Sequence, residues 1–230
     1  MTGTTTIGHV TARRVWDSRG RPTVEADVIL QNGSIGRAIA PAGASTGSGE
    51  AIDLRDGGPK LGGFDVTKAI DNIKTVISPA LKGLVASNQA SVDQTLLELD
   101  GTQNKAKLGG NAMIAVSMAT LHAAAQQQPL WQFLLDDNSP LLPLPEIQIF
   151  GGGAHAGRRV DVQDFMVMPV GATSFAQALE WTAEVYRSAG VLLSDAGTLQ
   201  GVADEGGFWP VFNTNEDALD CLVKAIERAG

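Results

Sequence analysis

Apolar positions along this chain recur with two different periods, and the switches between them predict its elements. From Val24 to Leu30 apolar residues alternate with acids, and a second strand-like run extends from Ile35 to Ala40. Asn32-Gly33 stands between the runs, the pair that most favours a tight hairpin. Small residues follow from Pro41 to Gly49, suited to closing over a ligand or to forming an exposed turn. The period then becomes helical. Val66 to Leu81 is amphipathic, with Ile70, Ile73, Val76 and Ile77 along one side, and Pro79 is expected to kink or end it. Ser91 to Leu99 and Asn111 to Gln127 are further helices. The second is alanine-rich, with Met113, Val116 and Met118 among its apolar residues, and reads as buried. His122 within it reads as a packed or rim residue.

At Ser139-Pro140-Leu141-Leu142-Pro143-Leu144-Pro145 the pattern changes again, and a domain boundary is expected near residue 138. Two domains follow from this, 1–138 and 139–230. In the second, Ile147 to Phe150 and Phe165 to Val170 read as short strands, and Ser174 to Ala189 and Asn215 to Ala229 as helices. Thr214 or Asn215 is placed to cap the last helix, with Glu216 and Asp217 favourable to its N-terminal dipole. About 90 residues remain after residue 139, roughly a third of a typical α/β barrel.

Composition narrows the classes. The chain has 230 residues, 43% of them hydrophobic, enough for a packed core. Net charge is −8 with no run of Lys or Arg, which disfavours nucleic acid and anionic membranes as partners. No apolar run reaches membrane length, no signal peptide opens the chain, and a cytoplasmic location is expected. The single Cys221 excludes an intrachain disulfide and lies in an apolar helical pattern, as a buried, inert thiol would. Trp16, Trp131, Trp181 and Trp209 are expected to contribute apolar packing.

The densest chemical signal is Val202-Ala203-Asp204-Glu205-Gly206-Gly207-Phe208. Two adjacent acids among small residues can hold a metal or move a proton, and the same string can make a surface turn. On a strand the two side chains would point apart.

Four further segments precede it. They are Asp17-Ser18-Arg19-Gly20-Arg21-Pro22-Thr23-Val24-Glu25, Pro41-Ala42-Gly43-Ala44-Ser45-Thr46-Gly47, Leu99-Asp100-Gly101-Thr102-Gln103-Asn104-Lys105 with Leu108-Gly109-Gly110-Asn111-Ala112, and Gly152-Gly153-Ala154-His155-Ala156 with Gln163-Asp164-Phe165-Met166. In this order they resemble enolase, the magnesium-dependent dehydratase family that converts 2-phosphoglycerate to phosphoenolpyruvate. The resemblance covers nearly the whole chain. It implies an N-terminal α+β capping domain followed by the opening ββαα part of an α/β barrel, incomplete within these residues.

The resemblance also implies roles. Glu205 matches the acid that helps expel the hydroxyl leaving group, a task needing a proton near neutral pH. His155 matches the histidine near the substrate phosphate, and Gln163 a substrate contact. Ala44 and Ser45 lie in the matching mobile loop, with Ser45 a ligand of a second magnesium through oxygen. Asp164 occupies a position where the family has glutamate, Gly151 replaces an asparagine, Ala203 a glycine, Ala42 a serine and Arg21 an asparagine. The family's lysine base and its three main magnesium acids lie on later barrel strands and have no counterpart here. Arg19 and Glu25 fit segments used for packing and the dimer contact. The implied partners are a small phosphorylated hydroxy acid and either a second copy of the chain or a complementing C-terminal half. A non-catalytic assembly role, and a paralogue acting on a phosphonate relative of the substrate, are the alternatives to glycolytic dehydration.

Overall fold

The hairpin at Asn32-Gly33 forms, and a strand ahead of it joins. The computed structural model describes residues 5–43, 46–135, 139–203 and 205–230, the side chains of residues 155 and 156 excepted. Strands β1 (Ile7–Trp16), β2 (Pro22–Leu30) and β3 (Ile35–Ala40) pair antiparallel in the order β1-β2-β3. The alternation pattern does not predict β1, and its register gives the reason. The pairing slips between Ile7 and His9, so inward positions change from odd (Ile7) to even (Val10, Ala12).

The face of β2 that carries its acids is closed as well. Arg13 donates to Asp27 Oδ2 at 2.7 Å and Arg37 Nε to Asp27 Oδ1 at 2.6 Å, while Arg13 also pairs with Glu25. Both acids are buried, and the Arg37 hydrogen bond is the chief cause holding the Asp27 carboxyl below its usual range. On the other face Val24, Ala26 and Val28 are fully buried.

That apolar face is covered by helices. The run expected over 66–81 is helical throughout, as α1 (Thr67–Asn72), a π-helical turn (Ile73–Ile77) and α2 (Ser78–Leu81). Pro79 therefore does not end it. A proline lacks the N–H for the α bond and its ring crowds the preceding turn, and a widened turn immediately before it relieves both. Ile73 and Ile77 remain fully buried. Then come α3 (Gln89–Asp100), capped by Asn88, α4 (Gly110–Ala125) and the short α5 (Leu130–Leu134). α4 lies against β3 so closely that a Cβ on Gly36 would stand 2.1 Å from both Ala119 O and Ala123 N. Met113 and Val116 are buried, whereas Met118 and His122 are exposed, so α4 is buried on one side only.

The Leu99 to Ala112 motif holds the backbone in place. Buried Asp100 accepts from Leu108 N at 2.7 Å, Lys107 N at 3.1 Å and Thr102 N at 2.9 Å. Asn111 bonds both backbone groups of Leu54, at 3.2 and 3.1 Å. In Asp17-Ser18-Arg19, Asp17 accepts from the Arg19 and Arg21 amides, and Arg19 donates to Ala42 O at 2.6 Å.

The chain divides into two compact units, Met1–Asn138 and Ser139–Gly230. The second runs β4 (Ile147–Gly151), a 3-10 turn (Gly153–Ala156), β5 (Asp164–Val167), α6 (Phe175–Asp195) and α7 (Asn215–Ala229). This is the ββαα order expected of the opening of an enolase-type barrel, and among the described residues no barrel closes. β4 and β5 are antiparallel, and Phe208 bridges Phe150 in the parallel sense on the other side of β4. The core here is Ile149, Phe150, Phe165, Val185, Ala189, Leu193 and the inner face of α7. α6 is capped by Ser174 and runs about one and two-thirds turns beyond the predicted end. Thr214 caps α7 in a reciprocal box with Asp217. Cys221 is half-buried against this core, and burial raises its thiol pKa. Trp16, Trp131 and Trp181 are exposed, contrary to the packing expected of them. No helix among the described residues is long and apolar enough to cross a membrane.

Candidate functional site

The site begins with a slip in the β4–β5 register. Gln148 pairs with Met166, Phe150 with Phe165 and Gly151 with Asp164, an irregularity falling between Gln148 and Phe150. Paired residues share a face of the sheet, and Asp164 lies two positions from Met166. Gln148 and Asp164 therefore stand on one side as diagonal neighbours, a separation long side chains span. Gly151, directly opposite Asp164, has no side chain to intervene. Gln148 Nε2 donates to Asp164 Oδ1.

The glycine-rich acid segment reaches the same amide from the other flank. Gly151 N donates to Phe208 O at 2.7 Å and Phe208 N to Ile149 O at 2.9 Å, which fastens the segment alongside β4. Ala203 N to Gly207 O at 2.8 Å and Gly206 N to Ala203 O at 2.9 Å close the turn between them, and Gly206 takes φ +96° there. Glu205 emerges from the turn, and Gln148 Nε2 donates to its Oε2 at 3.0 Å. Gln148 Oε1 accepts from Gly207 N at 3.1 Å. Opposite, Tyr186 of α6 stacks on Phe208 with ring centroids 4.2 Å apart and donates its O–H to Gly206 O at 2.9 Å. Burial raises the phenol pKa of Tyr186, which keeps that proton in place.

Two of the expected site residues, Asp164 and Glu205, thus meet on one amide. Glu205 is exposed and Asp164 half-buried, so solvent reaches the first residue while the second lies partly within the protein. Gln163 precedes Asp164 and is exposed, with its carbonyl accepting from Gly152 N at 2.6 Å. The backbone of His155 lies in the Gly153–Ala156 turn. A Cβ on Gly152 would meet Val162 O at 2.0 Å, so that turn is built directly against the chain entering β5. Ala44, Ser45 and Asp204 lie outside the described residues.

Sequence reasoning passed over Gln148 and Tyr186. The available signal for Gln148 was a lone amide inside the apolar run Ile147 to Phe150, and for Tyr186 there was none. A groove of about 430 Å³ elsewhere in this unit, lined by Val167, Met168, Trp181 and Ile226 among others, includes neither acid.

A pair of carboxylates with one member exposed can exchange protons with a bound ligand or orient it. Holding a metal is a different matter. Among the described residues no three His, Cys, Asp or Glu side chains gather as a metal site. Amide N–H groups are directed at both carboxylates, and a donor in that position opposes a cation. The described residues do not by themselves fit a magnesium ion.

Comparison with protein families bears on both units. Residues 7–134 match the family model described as enolase, N-terminal domain, and residues 139–230 match the one described as enolase, C-terminal TIM barrel domain. The first match alone spans more than half of the chain, and the second takes in β4, β5 and the Gln148–Asp164–Glu205 cluster. This chain belongs to the enolase family.

Proposed function

We propose that this chain supplies the leaving-group side of an enolase-type carbon–oxygen lyase that dehydrates 2-phosphoglycerate to phosphoenolpyruvate. The reaction removes the proton on C2 and the hydroxyl on C3 as water. Glu205 delivers the proton that leaves with the hydroxyl, while Asp164 and Gln163 orient the substrate and His155 stands at its phosphate. The proton-abstracting base and the three main magnesium acids come from polypeptide other than residues 1–230, while Ser45 is left as a ligand of a second magnesium. The observation that carries this reading is the convergence of Asp164 and Glu205, from separate motifs, on one amide in a chain that both family models match.

A second reading rests on Gly151 and Asp164. A side-chain-free position faces an acid one methylene shorter than glutamate, so both departures from the family pattern remove side-chain atoms from the same place. A phosphonate relative of 2-phosphoglycerate, with a different headgroup, would use that place.

The test is phosphoenolpyruvate formation from 2-phosphoglycerate with magnesium, followed by ultraviolet absorbance, with the chain alone and with a candidate C-terminal barrel partner. Turnover abolished by Glu205→Gln supports the reading. Silence from folded protein in both preparations refutes glycolytic dehydration, and turnover of the phosphonate in its place selects the second reading. Silence on both substrates leaves the family's architecture in a non-catalytic role.

A further inference from the structure

The three polar contacts of Gln148 occupy both N–H groups of its amide and engage its oxygen. Its two N–H groups go to Asp164 and Glu205, and its oxygen receives the Gly207 N–H. The orientation is thereby settled, since turning the amide over would set its oxygen against two carboxylates and its NH2 against another donor. Each partner also arrives on a different segment: β4 carries the amide, β5 one acid, and the Val202 to Phe208 stretch the other acid and the backbone donor. Without donors between them, two carboxylates brought this close would repel.

We infer that Gln148 is a positioning residue, whose single amide holds Asp164 and Glu205 as a coupled pair and locks the pair to the Gly206–Gly207 turn. Its catalytic consequence rests on the dehydratase reading above, whereas the coupling itself does not. The amide's length and polarity are both required. Asparagine is one methylene too short to serve both flanks. Glutamate has the right length and can still accept from Gly207 N–H, but it loses both donors and adds a third carboxylate. Gln148→Glu therefore separates a role in building the turn from a role in pairing the acids.

The first measurement is the side-chain amide signal of Gln148 in ¹⁵N-labelled protein. Asp164→Asn should shift one of its two protons and Glu205→Gln the other. The second is a melting cycle. Gln148→Glu lowers the melting temperature, and adding Glu205→Gln restores at least half of the loss, because amide and carboxylate have then exchanged places. In a turnover assay Gln148→Glu lowers kcat by about 10- to 100-fold with KM nearly unchanged, the pattern of a misplaced group rather than a lost binding contact.

An amide signal indifferent to either acid, or strictly additive melting effects, overturns the coupling. If Gln148→Glu does not fold, the response of the native amide to Asp164→Asn and Glu205→Gln still decides. If the unsubstituted protein does not turn over 2-phosphoglycerate, the dehydratase reading fails alone, and the amide signal and the melting cycle judge the pairing without it.

Discussion

Adding one methyl group at Gly152 and at Gly207 should have opposite consequences, although the two glycines flank the same site. A Cβ on Gly152 would lie 2.0 Å from Val162 O and 2.8 Å from Val160 Cγ2. Carbon and oxygen normally approach to about 3.3 Å, so the overlap exceeds ~1 Å and its nearest partner is backbone. Gly152 N is also bonded to Gln163 O at 2.6 Å, which prevents the strand from sliding aside without breaking that bond. Overpacking of this kind costs about 3 kcal/mol, which lowers the midpoint of a unit of about 90 residues by roughly 15 °C. A Cβ on Gly207 would instead meet Gln148 Oε1 at 2.3 Å and Cδ at 2.8 Å, the far end of a flexible side chain. The chain can yield by swinging the amide away, which breaks all three of its hydrogen bonds; water replaces the donors at exposed Glu205 and half-buried Asp164, so the net loss is about 1–2 kcal/mol. Gly207→Ala then keeps most of its stability and loses the acid pairing, with turnover down about 10- to 100-fold. Calorimetry and the phosphoenolpyruvate assay on both variants test the pair. Equal melting losses, or a Gly152→Ala protein melting with the wild type, would refute the reasoning.

Two other predictions concern stability. Asp65 is buried and accepts from Arg14 at 2.8 and 2.9 Å, with Lys60 3.1 Å away, and the Arg14 hydrogen bond is the chief cause holding its pKa down to about 2. A lowered folded pKa gives stability that is fully present above the unfolded value of about 4 and lost as pH falls towards 2. Between those limits the wild-type melting temperature should fall more steeply than that of Asp65→Asn, and parallel curves would exclude the ion pair as the cause. Thr214→Ala removes the hydroxyl that accepts from Asp217 N at 3.1 Å, and should cost about 1 kcal/mol by urea titration, whereas Thr214→Ser should cost little.

Local rules read some elements well because their causes are local. The Asn32-Gly33 hairpin needs a positive φ at its glycine, and Gly33 supplies one at +87°. The Thr214–Asp217 capping box and α7 follow from residues three apart along one helix. Where a neighbour in space intervenes, the pattern misleads. β1 changes its inward parity at a register slip. The acids of β2 are buried because Arg13 and Arg37, on the flanking strands, arrive over them.

The candidate site divides along the same line. The amino-acid sequence by itself determined the family, the ββαα opening of the second unit, and the acids Asp164 and Glu205 as residues of interest, since each sits in a motif of its own. Only the tertiary structure decided that these two acids share one amide, that Gln148 owns it, and that Tyr186 backs the turn. The reason is register: the slip between Gln148 and Phe150 chooses which residues of β4 and β5 face each other. Phe150, Phe165 and Phe208 belong to the apolar cluster on which these segments pack, and they come from separate segments whose contacts no local pattern records.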